Sequence, residues 1–256
     1  MPEVPRAPGG RTAEPSLTSG WVYGLAGCAL RSVIQRAVLF PLAGAFSPMR
    51  VRGREYLREV VPPVIVVGNH VSHLDTPTIL RALPNSIRRR LVVAAARDYF
   101  YRGRIRGTLA SLSMATVPFD RKEDSRASLA KCEELLRAGW SLLIFPEGTR
   151  NETGQLGRVR HGVAVLAVET GVPVLPLFVH GLAQVLPKGT VAPLPSGIVV
   201  DVGELVHPAK GDSADGLRAR IEAALVDLAS RRPDWGATAG REPYPHRHTE
   251  HTKDTG

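Results

Sequence analysis

Two histidines and an aspartate, His70, His73 and Asp75, fall within six residues of the run VVGNHVSHLDTP at 66–77, straight after an apolar stretch. Three chemistries fit these residue types. A metal would take all three as ligands, but a helix starting here splays their side chains. No second pair of ligand type and spacing follows, since His161, His180 and His207 stand alone among apolar residues, so no metal is expected. A helix cap would use Ser72-x-x-Asp75 as a capping box, or Asp75 as the N-cap before Thr76-Pro77; it leaves His70 without a task. A general base would be a neutral imidazole at His70, with Asp75 fixing its tautomer and stabilising the imidazolium. Spacing alone does not choose among them.

The elements around these residues narrow the choice. Apolar runs at 64–67, 91–96, 115–119, 141–145, 174–179 and 198–202 read as strands. Helices are expected at about 76–83, 104–113, 124–138, 163–169 and 214–230, with Gly139 and Gly171 as stops. Strands and helices that alternate in this way predict an α/β domain whose mostly parallel sheet is flanked by helices on both faces. His70 then lies at the C-terminal edge of a strand, where open α/β sheets receive ligands. The sequence FPEGTR, Phe145 to Arg150, follows the SLLI run and lies at the same kind of strand end.

The chain has 256 residues and 43% hydrophobic content, enough for a sizeable core. Its net charge of +9 points to a polyanionic partner. Only 5% of residues are aromatic, too few for a platform that stacks bases, so nucleic acid is not expected as a partner. Cys28 and Cys132 do not suggest a disulfide framework and are expected to be reduced and buried in a cytosolic compartment. From Arg81 to Arg106 there are eight arginines against one acid, Asp98, a basic face suited to anionic lipid or to an anionic acyl donor.

Four segments are expected. Residues 1–16, rich in Pro, Gly and charge, read as a disordered leader without the order of a signal peptide. Residues 17–49 read as one or two membrane-interfacial helices. The uncharged stretch LTSGWVYGLAGCAL, 17–30, is shorter than the roughly 20 residues that span a bilayer. Trp21 and Tyr23 suit the headgroup level, and Arg31, Arg36, Arg50, Arg52 and Arg54 suit anionic lipid. Residues 50–232 form the α/β domain, and 233–256 a polar, disordered tail.

NHVSHLD, VPFDR, FPEGTR and VPVLPLFVHG, in this order and spacing, resemble the four blocks of the glycerolipid acyltransferase family, which includes the 1-acylglycerol-3-phosphate O-acyltransferases. The likeness covers roughly residues 50–205 and implies an acyltransferase domain. It makes His70 the catalytic base and Asp75 its partner. His73 falls at a variable position of the block. The resemblance assigns acceptor phosphate binding to Arg121 and Arg150, and substrate binding to Glu147, Gly148 and Thr149. Within that set, Glu147 is expected to orient an arginine or to accept from a glycerol hydroxyl. Arg97 stands where relatives commonly carry a lysine that helps bind phosphate or stabilise the oxyanion.

The implied reaction moves a fatty acyl group from acyl-CoA or acyl carrier protein to the sn-2 hydroxyl of lysophosphatidate, giving phosphatidate. It requires no cofactor beyond the donor. A close variant would acylate another lysophospholipid or lipid hydroxyl. The implied location is the cytoplasmic face of the cell membrane, as a monotopic or peripheral protein. Two departures bear on the acceptor. Ala115-Thr116 stand where the second block usually opens with glycine, and Arg158, Arg160 and His161 replace a lysine pair. A hydrolase would need a nucleophile, and no G-x-S-x-G elbow is present. A binding module without turnover rests on charge alone.

Overall fold

The computed structural model describes residues 24–72, 74–96, 115–119, 126–148, 156–182 and 197–231. The leader, the tail and the helix expected at 104–113 lie outside the described residues.

Seven short strands form one sheet. They are β1 (Met49–Arg52), β2 (Ile65–Gly68), β3 (Leu91–Ala96), β4 (Thr116–Phe119), β5 (Ser141–Ile144), β6 (Val174–His180) and β7 (Ile198–Val202). Their order across the sheet is β1-β7-β6-β2-β5-β3-β4. All neighbours pair in parallel except β6 and β7, so β1 and β7 run against the other five. Runs such as IVVG, SLLI and IVVDV are buried along their whole length. Strands covered on both faces need apolar side chains on both.

Helices supply the two covers. On one face α6 (Arg126–Arg137), α7 (His161–Thr170) and α8 (Ala214–Ser230) pack Cys132, Leu136, Leu166, Ile221 and Leu225 against Ile65, Val67 and Leu142. On the other, α3 (Arg54–Glu59), α4 (Asp75–Ala82) and α5 (Asn85–Arg88) pack Leu57, Ile79, Leu80 and Ile87 against Val66, Leu143 and Leu177. Helix α8 starts on a side-chain cap, Ser213 Oγ accepting from Gly216 N at 3.1 Å. The Cys132 thiol is fully enclosed, and burial pushes its pKa up to about 11; Cys28 is half-buried.

The N-terminal segment is helical from α1 (Leu25–Ile34) through a π turn (Gln35–Leu39) into α2 (Phe40–Phe46). Its polarity is inverted. Leu30, Val33, Val38 and Leu42 are exposed, at 44%, 61%, 59% and 59%, while Arg31 and Gln35 are buried. Two arginines fasten the run to the domain. Arg81 Nη1 donates to the Ser47 carbonyl at 3.1 Å. Arg88 donates to the Leu80 and Leu83 carbonyls at 3.1 and 3.0 Å and lies 4.9 Å from the Phe40 ring centroid. Among the described residues no helix is long and apolar enough to cross a membrane.

Three expectations about charged side chains are corrected here. Arg31, expected toward lipid, is enclosed and donates to Cys28 Sγ at 3.4 Å. Arg52, expected toward lipid as well, belongs to β1, where its Nε and Nη2 hold both oxygens of the buried Asp201 on β7. His180 does not stand alone: its Nε2 is 3.0 Å from Asp201 Oδ2. Burial pushes the His180 imidazole pKa down, against the upward pull of Asp201. Arg52, Asp201 and His180 together tie the reversed strands to β6.

Candidate active site

Strand β2 ends at Gly68, where α4 leans close: a Cβ there would meet Ile79 Cδ1 at 3.1 Å. Past that end the backbone ladder is replaced by a side chain. The buried Asn69 amide donates through Nδ2 to the Val179 carbonyl at 3.0 Å and accepts from the Val179 N–H at 2.8 Å. Asn69 thus extends the β2–β6 pairing by one step and fixes where the next residue, His70, leaves the sheet.

His70 is held from three directions. Its Nδ1 lies 2.9 Å from Asp75 Oδ2. Its ring stacks on Phe145, centroids 4.2 Å apart and planes 18° apart. Its backbone N–H donates to Glu147 Oε1 at 3.0 Å. The imidazole remains 18% exposed, whereas Asp75 is fully enclosed. An ionised carboxylate only accepts, so of the two neutral imidazole tautomers the contact favours the one with its proton on Nδ1 and a lone pair on Nε2. That is the tautomer a general base requires.

Asp75 also organises the turn, since its Oδ2 accepts from the Val71 and Ser72 N–H groups at 2.6 and 2.7 Å. The bond from Ser72 is the returning half of a capping box. The other half differs from expectation: Ser72 Oγ accepts from Leu74 N, at 3.3 Å, and Asp75 N donates to the Ser72 carbonyl. The helix begins at Asp75 itself, one residue earlier than its periodicity suggests, so the carboxylate sits in the first turn. Cap and orienting partner are one residue.

The turn after β5 supplies the third support. Phe145 lies under the imidazole, Gly148 N donates back to the Phe145 carbonyl at 3.1 Å, and Glu147 between them is buried. Glu147 spends its oxygens on main chain, Oε1 on His70 and Oε2 on Gly157 N at 3.0 Å. Burial pushes its carboxyl pKa up, opposed by those two N–H groups. Gly148 has φ +72, and a Cβ there would lie 2.4 Å from Arg160 Nε, so the Arg160 side chain crosses directly over it. Gly is the residue that meets both demands.

Of the residues singled out from sequence, His70, Asp75, Glu147 and Gly148 are brought together. Arg97, Arg121, Thr149 and Arg150 lie outside the described residues, as does His73. The stacking of Phe145, the Gly157 contact and the crossing of Arg160 had no signal in residue spacing. Among the described residues no group of three or more His, Cys, Asp or Glu side chains is arranged to hold a metal ion.

Comparison with known proteins identifies the family. A family model described as Acyltransferase matches residues 48–180, just over half of the chain. The chain is 34% identical over 174 residues to the chloroplastic 1-acyl-sn-glycerol-3-phosphate acyltransferase BAT2 of Brassica napus, covering 66% of this chain and 47% of that one. It therefore spans about half the length of this plant relative. It is 31% identical over 199 residues to the 1-acyl-sn-glycerol-3-phosphate acyltransferase of Pseudomonas aeruginosa, covering 76% of this chain and 70% of that one. The crystal structure of the 1-acyl-sn-glycerophosphate acyltransferase PlsC from Thermotoga maritima superposes with a TM-score of 0.61 at 26% identity, over 80% of this chain and 81% of that one. The matched residues contain both the His70–Asp75 pair and the Phe145–Gly148 turn that supports it, and the chain belongs to the acyltransferase family.

Proposed function

We propose that this protein transfers a fatty acyl group from acyl-CoA or acyl carrier protein to the sn-2 hydroxyl of lysophosphatidate, giving phosphatidate. The observation that carries the reading is the 2.9 Å contact between His70 Nδ1 and Asp75 Oδ2, which leaves Nε2 free of its proton. Nε2 takes the proton of the acceptor hydroxyl as that oxygen attacks the thioester carbonyl. The tetrahedral intermediate collapses, the C–S bond breaks, and the imidazolium returns its proton to the departing thiolate. Ester and free thiol are the products, with no acyl-enzyme, metal or cofactor required. General-base assistance of this kind is worth about 10²–10⁴ in rate. The names of the relatives support lysophosphatidate as acceptor. Arg121 and Arg150, with Arg97, are the proposed partners of its phosphate, because a guanidinium binds a phosphomonoester through two parallel N–H bonds.

The inverted helical run supports attachment to a membrane surface. A strip formed by Leu30, Val33, Val38 and Leu42 faces outward, as an interfacial helix requires. With a net charge of +9, the protein suits an anionic leaflet, in line with a peripheral or monotopic protein at the cytoplasmic face.

The test is free-thiol release from a long-chain acyl-CoA and from acyl carrier protein, with and without lysophosphatidate, for wild type and His70→Ala. Release that needs the acceptor and disappears in the variant is the expected result. Release without acceptor would make the protein a thioesterase. An acceptor lacking the phosphomonoester, turned over equally well, would replace lysophosphatidate by another lipid hydroxyl. The Arg158–Arg160–His161 departure and the crossing of Arg160 over Gly148 make that control necessary.

A further inference from the structure

We infer that Glu147 is a positioning residue, a strut between the backbone of the base and the segment 156–160, and not a group that binds the acceptor. The inference rests on the general-base reading of His70. It begins with an accounting of main-chain donors. The parallel ladder of β2 ends at Gly68 on the β6 side and at Val67 on the β5 side. The His70 N–H lies beyond both, and a buried donor without a partner is costly. Glu147 Oε1 supplies that partner at 3.0 Å, from 77 residues away in the chain.

The other end of the carboxylate is equally committed. Oε2 accepts from Gly157 N at 3.0 Å, and a Cβ at position 157 would come within 2.6 Å of it. Arg160 N donates to the Pro146 carbonyl at 2.9 Å, so the segment 156–160 doubles back onto the turn from which Glu147 projects. One enclosed carboxylate therefore fixes both the backbone that carries the base and the segment that carries Arg158 and Arg160. The neighbouring Phe145 presses on the imidazole of that same base. Phosphate recognition would set a negative carboxylate against a negative ligand; main-chain N–H groups are the partners such a group needs when buried.

The experiment compares Glu147→Gln and Gly157→Ala with wild type, using His70→Ala as the reference for a missing base. An amide offers a single acceptor oxygen to two N–H donors, so Glu147→Gln unseats one end of the strut. Gly157→Ala keeps the carboxylate and displaces it. Both are expected to lower kcat by about 10²-fold, the scale of a 1 Å misplacement, with KM for lysophosphatidate unchanged. The second readout is independent of turnover. In protein labelled with 15N-histidine, the Nδ1–H resonance that vanishes in His70→Ala is expected to shift or broaden in both variants. A raised acceptor KM with unchanged kcat and an unmoved resonance would assign Glu147 to the substrate and overturn the inference, as would wild-type behaviour in every readout. If the wild type shows no acceptor-dependent turnover, the acyltransfer reading falls, and the His70 resonance alone then decides the strut.

Discussion

The imidazole of His70 lies flat on the ring of Phe145, 4.2 Å between centroids, so the proposed base is clamped between an aromatic face and the Asp75 carboxylate. Such ring pairs contribute about 0.5–1.5 kcal/mol beyond their buried area. Phe145→Leu keeps an apolar side chain and removes the flat face. It is expected to lower kcat about 2- to 10-fold, with the acceptor KM unchanged in initial-rate measurements.

Asp75→Asn tests the tautomer. An amide in place of the carboxylate can no longer serve Val71 N, Ser72 N and His70 Nδ1–H through one charged oxygen. The variant is expected to lose about 10²–10⁴ in kcat, approaching His70→Ala, since the base then loses its preferred tautomer. Weakening of the turn is read separately by urea unfolding.

Asn69→Asp replaces a donor with an acceptor opposite the Val179 carbonyl, in a position that is fully enclosed. Each buried group left without a partner costs about 1–3 kcal/mol. A lower urea midpoint with an unchanged slope is the expected result, and activity should fall with it, because His70 leaves the sheet at this point.

His180 sets a pH dependence of stability. Burial first, and Arg52 after it, hold its imidazole below the ordinary histidine value despite Asp201. The folded state thus binds this proton less tightly than the unfolded chain does. The stabilisation is complete above the ordinary value and is lost as pH falls through the folded one. Urea unfolding at about pH 7 and about pH 5 should show wild type losing more stability than His180→Asn across that interval.

Replacing Leu30, Val33, Val38 and Leu42 together by Ser tests the attachment. All four side chains are exposed, so the fold should survive. Sedimentation with anionic phospholipid vesicles should show binding weakened by at least about 10²-fold, because fully burying one Leu or Val is worth about 1.5–3 kcal/mol.

The central strands were legible because strands covered on both faces are continuous apolar runs whichever way they point, and 91–96 and 198–202 agree to the residue. Strand β1 was not. Its sequence MRVR alternates charge with apolar side chains, a pattern that suits lipid contact as well as a strand, and the Asp201 that receives Arg52 is 149 residues away. Nor was the His180–Asp201 contact readable, since it depends on β7 reversing direction relative to β6. At the site, the His70–Asp75 spacing was local and open to reading. The Glu147–His70 bond joins a side chain to a main-chain N–H across 77 residues, and no pattern of residue types encodes that.

Helix α4 has Asp75 as its first residue and Arg81 next to its last, where Arg81 grips Ser47 at the foot of the N-terminal helical run. Eight residues at 1.5 Å each make a rod about 12 Å long. The carboxylate of the dyad and the fastening of the outward-facing apolar strip therefore sit at opposite ends of a gauge block. The helix whose first residue orients the imidazole is thus also the one that holds the end of the N-terminal run, so any tilt or shift of α4 moves the Asp75 carboxylate and the Ser47 attachment together.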